Sequence, residues 1–184
     1  MVRKRGARVI ILGEDQNQVS FARRVLMLLH FNPHELNARP IPEGDGSGEH
    51  WVIRDYPDQV ASNRRERTHQ RVALLVSMDA DRRSFLERKC YLDGTLRNAG
   101  MNTRENTEPV AIWVPSRNIE TWLLHFAGST VDETSDFKNS VREPNFKQAA
   151  AGFASEYHLW RQTPEQVTTL PSLIDAYAEL TRIV

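Results

Sequence analysis

The chain has a single cysteine, Cys90, so no intrachain disulfide can form and a reducing, cytoplasmic setting is expected. No apolar run approaches the ~20 residues of a membrane span, so no membrane role is expected. The opening stretch MVRKRGARVIILGED lacks the long apolar core of a secretory leader. Net charge is also missing, because 24 Lys and Arg balance 24 Asp and Glu. The overall basicity common among nucleic-acid binders is therefore absent, and any such role falls to local clusters. The six histidines form no metal-spaced set. His30 and His34 lie four apart, but Pro33 between them disrupts a shared helix, so zinc is not expected. No Gly-Lys-Ser/Thr follows Gly44-Asp45-Gly46-Ser47-Gly48, which removes a nucleotide P-loop and leaves a turn or a substrate-edge loop. No G-x-S-x-G nucleophile elbow occurs. Internal repeats and low-complexity tracts are lacking too.

What is present is an ordinary globular composition, 40% apolar and 26% charged, which argues against disorder or a fibrous repeat. At 184 residues one domain is expected over 1–184, with an α/β core over 1–128 and a helical C-terminal extension over 129–184. Arg8–Leu12, Arg71–Met78 and Pro109–Val114 are short apolar runs that read as buried strands. Leu36–Ile41 is a further strand candidate. Between them, Val19, Ala22, Val25, Leu26 and Leu29 share a helical face, and Val52, Tyr56 and Val60 recur every four residues, with Pro57 expected to break that helix. Ser84 and Glu87 form a capping-box pattern ahead of Phe85, Leu92 and Leu96, and Gly100 can end that helix. Ile119, Trp122, Leu123 and Phe126 carry the next one, with Trp122 expected in the core. Phe146, Ala149, Ala150, Phe153 and Tyr157 share a face, and Ser172 is expected to cap the last helix. Cys90 is expected to be a small core residue. Strand and helix in alternation predict a mostly parallel sheet of about four strands with helices on both faces.

In such a sheet ligands sit beyond the C-terminal strand ends. Three acidic segments leave those ends: Gly13-Glu14-Asp15, Asp79-Ala80-Asp81, and Ser116-Arg117-Asn118-Ile119-Glu120. Residues two apart on an extended backbone point the same way, so Asp79 and Asp81 can act together. Two adjacent carboxylates repel, and a hard divalent cation relieves the repulsion. Acids after a strand can also merely solvate a loop, but three acidic strand ends favour a Mg²⁺ or Mn²⁺ site.

Glu14 after the first strand and D-x-D after a later one resemble the TOPRIM pattern. Pro115–Leu124 (PSRNIETWLL) and Leu170-Pro171-Ser172-Leu173 with Glu179-Leu180 are similar to short stand-alone bacterial TOPRIM proteins related to overcoming-lysogenisation-defect nucleases. The resemblance implies a TOPRIM-like (Rossmann-like) fold and Mg²⁺-dependent cleavage of DNA or RNA. It implies Glu14, Asp79, Asp81 and Glu120 as catalytic residues, the first three as metal ligands. Gly13 precedes Glu14 where the family often has Glu-Gly, so Asp15 can share or replace its role. The resemblance also implies a toxin or nuclease of anti-phage defence, with an ABC-type ATPase as partner and a homo-oligomer left open. The alternative is a non-catalytic interaction module or effector regulated by such an ATPase. A haloacid-dehalogenase phosphotransferase fits less well, because its nucleophilic Asp belongs on the first strand and Arg83 stands where it places Thr or Val.

Arg117, Arg82, Arg83, Arg64 and Arg65 are the candidate phosphate contacts. Arg117 and Glu120, three apart, could instead pair on a helix. Arg67 and Arg71 extend the cluster at Arg64, and Arg88 and Lys89 follow the D-x-D. Arg3, Lys4 and Arg5 add a basic N-terminal group.

Overall fold

The computed structural model describes residues 7–42, 48–167 and 170–184. Arg3, Lys4, Arg5 and most of the loop from Gly44 to Gly48 lie outside the described residues.

Four strands form one parallel sheet: β1 (Arg8–Gly13), β2 (Leu36–Ala38), β3 (Val72–Ser77) and β4 (Val110–Trp113). Their order is β2-β1-β3-β4, and β1 pairs along its whole length with β3, from Arg8 opposite Val72 to Gly13 opposite Ser77. The helices are α1 (Gln16–Leu28), α2 (Gly48–Glu66), α3 (Phe85–Asn98), α4 (Ile119–Phe126), α5 (Phe146–Gln162) and α6 (Pro171–Leu180). This is a Rossmann-like α/β arrangement.

Side chains alternate across each strand and build two cores. Val9, Ile11, Ala73, Leu75, Ala111 and Trp113 face α1, α4, α5 and α6. Leu12, Leu74, Val76, Val110 and Ile112 face α2 and α3. β3 and β4 are buried along their whole length because both faces are covered, whereas the edge strand β2 exposes Asn37 and Ala38. The first core centres on aromatic rings in tilted and edge-to-face contact. Phe153 packs 4.9 Å from Trp113 and 5.6 Å from Phe21, ring centre to ring centre. The helices of the C-terminal segment thus belong to the main core.

Several sequence expectations are corrected. Pro57 does not break α2, which runs through it. Burial of Val52 and Tyr56 before it and Val60 after it outweighs the hydrogen bond that proline forfeits. The strand expected over Leu36–Ile41 pairs only over Leu36–Ala38. Ser172 is not a cap. Pro171 takes the first helical position, where its missing N–H costs nothing, and the Ser172 hydroxyl turns inward to accept a bond from Trp122 Nε1 at 2.9 Å. Cys90 is exposed, since α3 buries Arg88, Leu92 and Leu96 and Cys90 falls on the opposite side. The capping box of Ser84 with Glu87 is formed, Gly100 adopts the left-handed φ of 72° after α3, and Trp122 is fully buried.

Candidate active site

β1 leads to β2 on one side through α1, and β3 returns on the other side after α2. Chain direction therefore diverges between β1 and β3, and their C-terminal ends open the crevice where ligands of such sheets bind. Glu14 and Asp79 leave those two ends. Glu14 N continues the ladder by donating to Ser77 O at 3.1 Å. Glu14 Oε2 accepts a bond from Asp79 N at 3.0 Å, so the two acidic loops are joined directly.

Gln18, fully buried on α1, ties the pair together. Its Nε2 donates to Asp79 Oδ1 at 2.8 Å, and its Oε1 accepts from Glu14 N at 3.3 Å. Asp15 caps α1 by accepting from Gln18 N at 2.8 Å. Gln18 was missed in the sequence, although its spacing from Ala22 and Val25 placed a polar residue on the apolar stripe of α1. Gly48, at the start of α2, packs against the Glu14 backbone so closely that any Cβ there would overlap the Glu14 carbonyl.

The acids act on one another. Burial, aided by Asp81 and Asp15, pushes the Glu14 carboxyl up to about 7 against the opposing hydrogen bond from Asp79 N. Asp79 lies well above the ordinary carboxylate range, first through burial and then through Glu14, Asp15, Glu120 and Asp81. Glu120 is raised by burial and by Asp15. The three acidic strand ends of the sequence therefore meet at one edge. Asp81 sits at a left-handed φ of 54° and is held by buried Arg88, whose Nη2 lies 3.0 Å from Asp81 Oδ2 and whose Nη1 pairs with Glu49.

The basic candidates divide. Arg82, Arg83 and Arg117 line a cavity of about 390 Å³ beside Asp81. Arg117 does not pair with Glu120. It takes a left-handed φ of 65° before α4 and donates to Asp81 O at 3.0 Å. Arg64 and Arg65 belong to the last turn of α2, at the opposite edge of the sheet, where Glu66 of the same turn pairs with Arg8 at the start of β1. Arg64 is spent on Glu108, at 2.7 Å, and Arg65 bonds Ser62 Oγ. Neither joins the acidic edge.

Carboxylate oxygens are hard donors and suit Mg²⁺ or Mn²⁺. Among the described residues no three His, Cys, Asp or Glu side chains form a ready-made metal group. Mg²⁺ commonly takes only one or two carboxylates, with waters and substrate phosphates completing its shell, so the clustered acids fit such an ion. Among the described residues no helix is long and apolar enough to cross a membrane. Comparison with models of known protein families, with curated proteins and with solved structures finds no match.

Proposed function

We propose that this protein is a divalent-metal-dependent nuclease of TOPRIM kind, cleaving DNA or RNA phosphodiesters at the crevice between β1 and β3. The observation that carries this reading is the direct link of Glu14 to Asp79 across the point where chain direction diverges, with Asp15, Asp81 and Glu120 acting on the same pair. So much crowded negative charge calls for a cation. Asp79 and Asp81 are the residues that would hold Mg²⁺ or Mn²⁺, with Glu14 beside them left free as a base. When bound, the ion would stabilise the charge that develops on the scissile phosphate.

The chain's own groups supply the rest. Glu14, whose carboxyl burial pushes up to about 7, is suited to take a proton from the attacking water. The new bond forms between that water oxygen and phosphorus, the ester bond to the leaving oxygen breaks, and a proton returns to the departing alkoxide. Glu14 Oε1 has no hydrogen-bond partner among the described residues and is the oxygen left for the proton. Gln18 holds Asp79 in place, and Arg117 with Arg82 and Arg83 attracts the phosphate backbone.

Metal-supplemented cleavage of labelled DNA and RNA tests this. Glu14→Gln and Asp79→Asn should each slow it by roughly 10²–10⁴-fold. Cleavage by both variants at the wild-type rate would refute the assignment.

A second reading has its own support. Arg88 occupies one Asp81 oxygen and Gln18 one Asp79 oxygen, which is a closed arrangement. It fits an effector whose acids are released only by a partner, such as an ABC-type ATPase. That reading requires the isolated chain to be inactive with every divalent metal and to become active on adding the partner.

A further inference from the structure

We propose that the cationic cavity beside the acidic edge receives a terminal phosphomonoester, the phosphorylated end of a nucleic-acid strand. This rests on the nuclease reading above for the identity of the polymer, and the cavity itself supplies the rest.

The cavity of about 390 Å³ is walled by the loops that follow β3 and β4, the first turns of α2 and α3, and the segment between α4 and α5. Its cations are Arg82, Arg83, Arg88, Arg117 and Lys138. Its carboxylates are Glu49, Asp81 and Asp136. Five positive groups against three negative ones leave an excess of two. A phosphomonoester carries roughly 1.5–2 negative charges at neutral pH, whereas an internal diester carries one. The excess therefore matches an end better than a link in the chain.

Unmet hydrogen bonds point the same way. Arg88 is 2% and Asn118 3% exposed, and both line the cavity. Arg88 Nε, Arg117 Nε and Asn118 Oδ1 are all buried without a partner. Leaving buried polar atoms unpaired is costly. Each of these atoms is closed to solvent, so phosphate oxygens would meet the two arginine donors, and a ligand hydroxyl the Asn118 acceptor, as the wall opens around them. Arg82 and Lys138 form no close ion pair among the described residues, and Lys138 acts at longer range on Glu120 and Asp136.

The backbone is committed to this arrangement. Asp81 and Arg117 both hold left-handed conformations, which residues other than glycine adopt at a cost. They clasp each other, with Asp81 N donating to Arg117 O at 2.9 Å and Arg117 Nη1 donating to Asp81 O at 3.0 Å. The guanidinium is thus held between the Asp81 carbonyl and Asp136, whose Oδ2 lies 3.4 Å from Arg117 Nη2 and which lines the same cavity. The volume lies within the usual range for small-ligand sites, enough for a phosphate and part of its nucleotide. Because Asp81 belongs both to this wall and to the acidic edge, a strand end held here would bring the adjoining diester toward Asp79 and Glu14.

The test is fluorescence anisotropy in EDTA, where no cleavage occurs, using one oligonucleotide sequence with a 5′-phosphate, a 3′-phosphate or hydroxyl ends. One phosphorylated form should bind on the order of tenfold more tightly than the hydroxyl form. Arg82→Gln and Lys138→Gln, changes away from the buried pair, should erase that preference. Equal affinity for all three oligonucleotides overturns the proposal, as does a preference that survives both substitutions. Inorganic phosphate competing as strongly as the phosphorylated strand also overturns it, because the cavity would then serve a free anion. An end preference without metal-dependent cleavage would instead sink the nuclease reading and leave this one standing.

Discussion

Glu14 is the residue on which chemistry and stability meet. Its ordinary value is 4.5 and burial lifts it to about 7. A raised carboxyl binds its proton more tightly folded than unfolded. Its contribution to stability is therefore full below pH 4.5 and is lost as pH rises through about 7. Without metal, the wild type should lose stability to denaturant across that window, and Glu14→Gln should lose less. Parallel losses in the two proteins would remove Glu14 as the cause. Glu14, Asp79 and Asp81 were legible in the sequence because each follows an apolar strand and strand ends are where a parallel sheet binds ligands. Gln18 was not read, since its role comes from bonds reaching 61 residues along the chain. Arg64 and Arg65 misled because a run of arginines carries charge but no direction. Only the end of α2 at which they stand shows that they face away from the acids.

At the scale of elements, the site is a meeting of loops that the sheet holds in register. The ladder between β3 and β4 continues past both strands, with Ala80 N donating to Pro115 O at 3.0 Å and Asp81 N to Arg117 O at 2.9 Å. The start of α2 presses on Glu14 at Gly48. Gly48→Ala must therefore displace Glu14 or the helix end, and overpacking of this kind costs about 1–3 kcal/mol. Cleavage should fall sharply while circular dichroism stays helical, and unchanged cleavage would show that Glu14 is not held there. Alternation of apolar strands and amphipathic helices made the element order readable. Pro57 and Ser172 were misread for one reason. Local preference sets what a residue favours alone, while burial of Tyr56 and the Trp122 bond to Ser172 decide what it does in the fold.

At the scale of the molecule, two cores flank one sheet whose C-terminal end carries the acids. The aromatic cluster joins α5 to the sheet, α1 and α4 through Phe153, Trp113, Phe21 and Trp122. Truncation by Phe153→Ala should lower unfolding free energy by about 3–5 kcal/mol, read from denaturant melts, and a loss near zero would mean that α5 is dispensable to this core. Packing on both faces holds those like charges at one end of the sheet. The central claim is that a divalent cation relieves them. Mn²⁺ titration followed by electron paramagnetic resonance, with an uncleavable oligonucleotide present, tests it most directly. Wild type should deplete the free Mn²⁺ signal saturably, and Asp79→Asn should deplete it far less. Equal depletion by the two proteins, or none by either, would contradict the account.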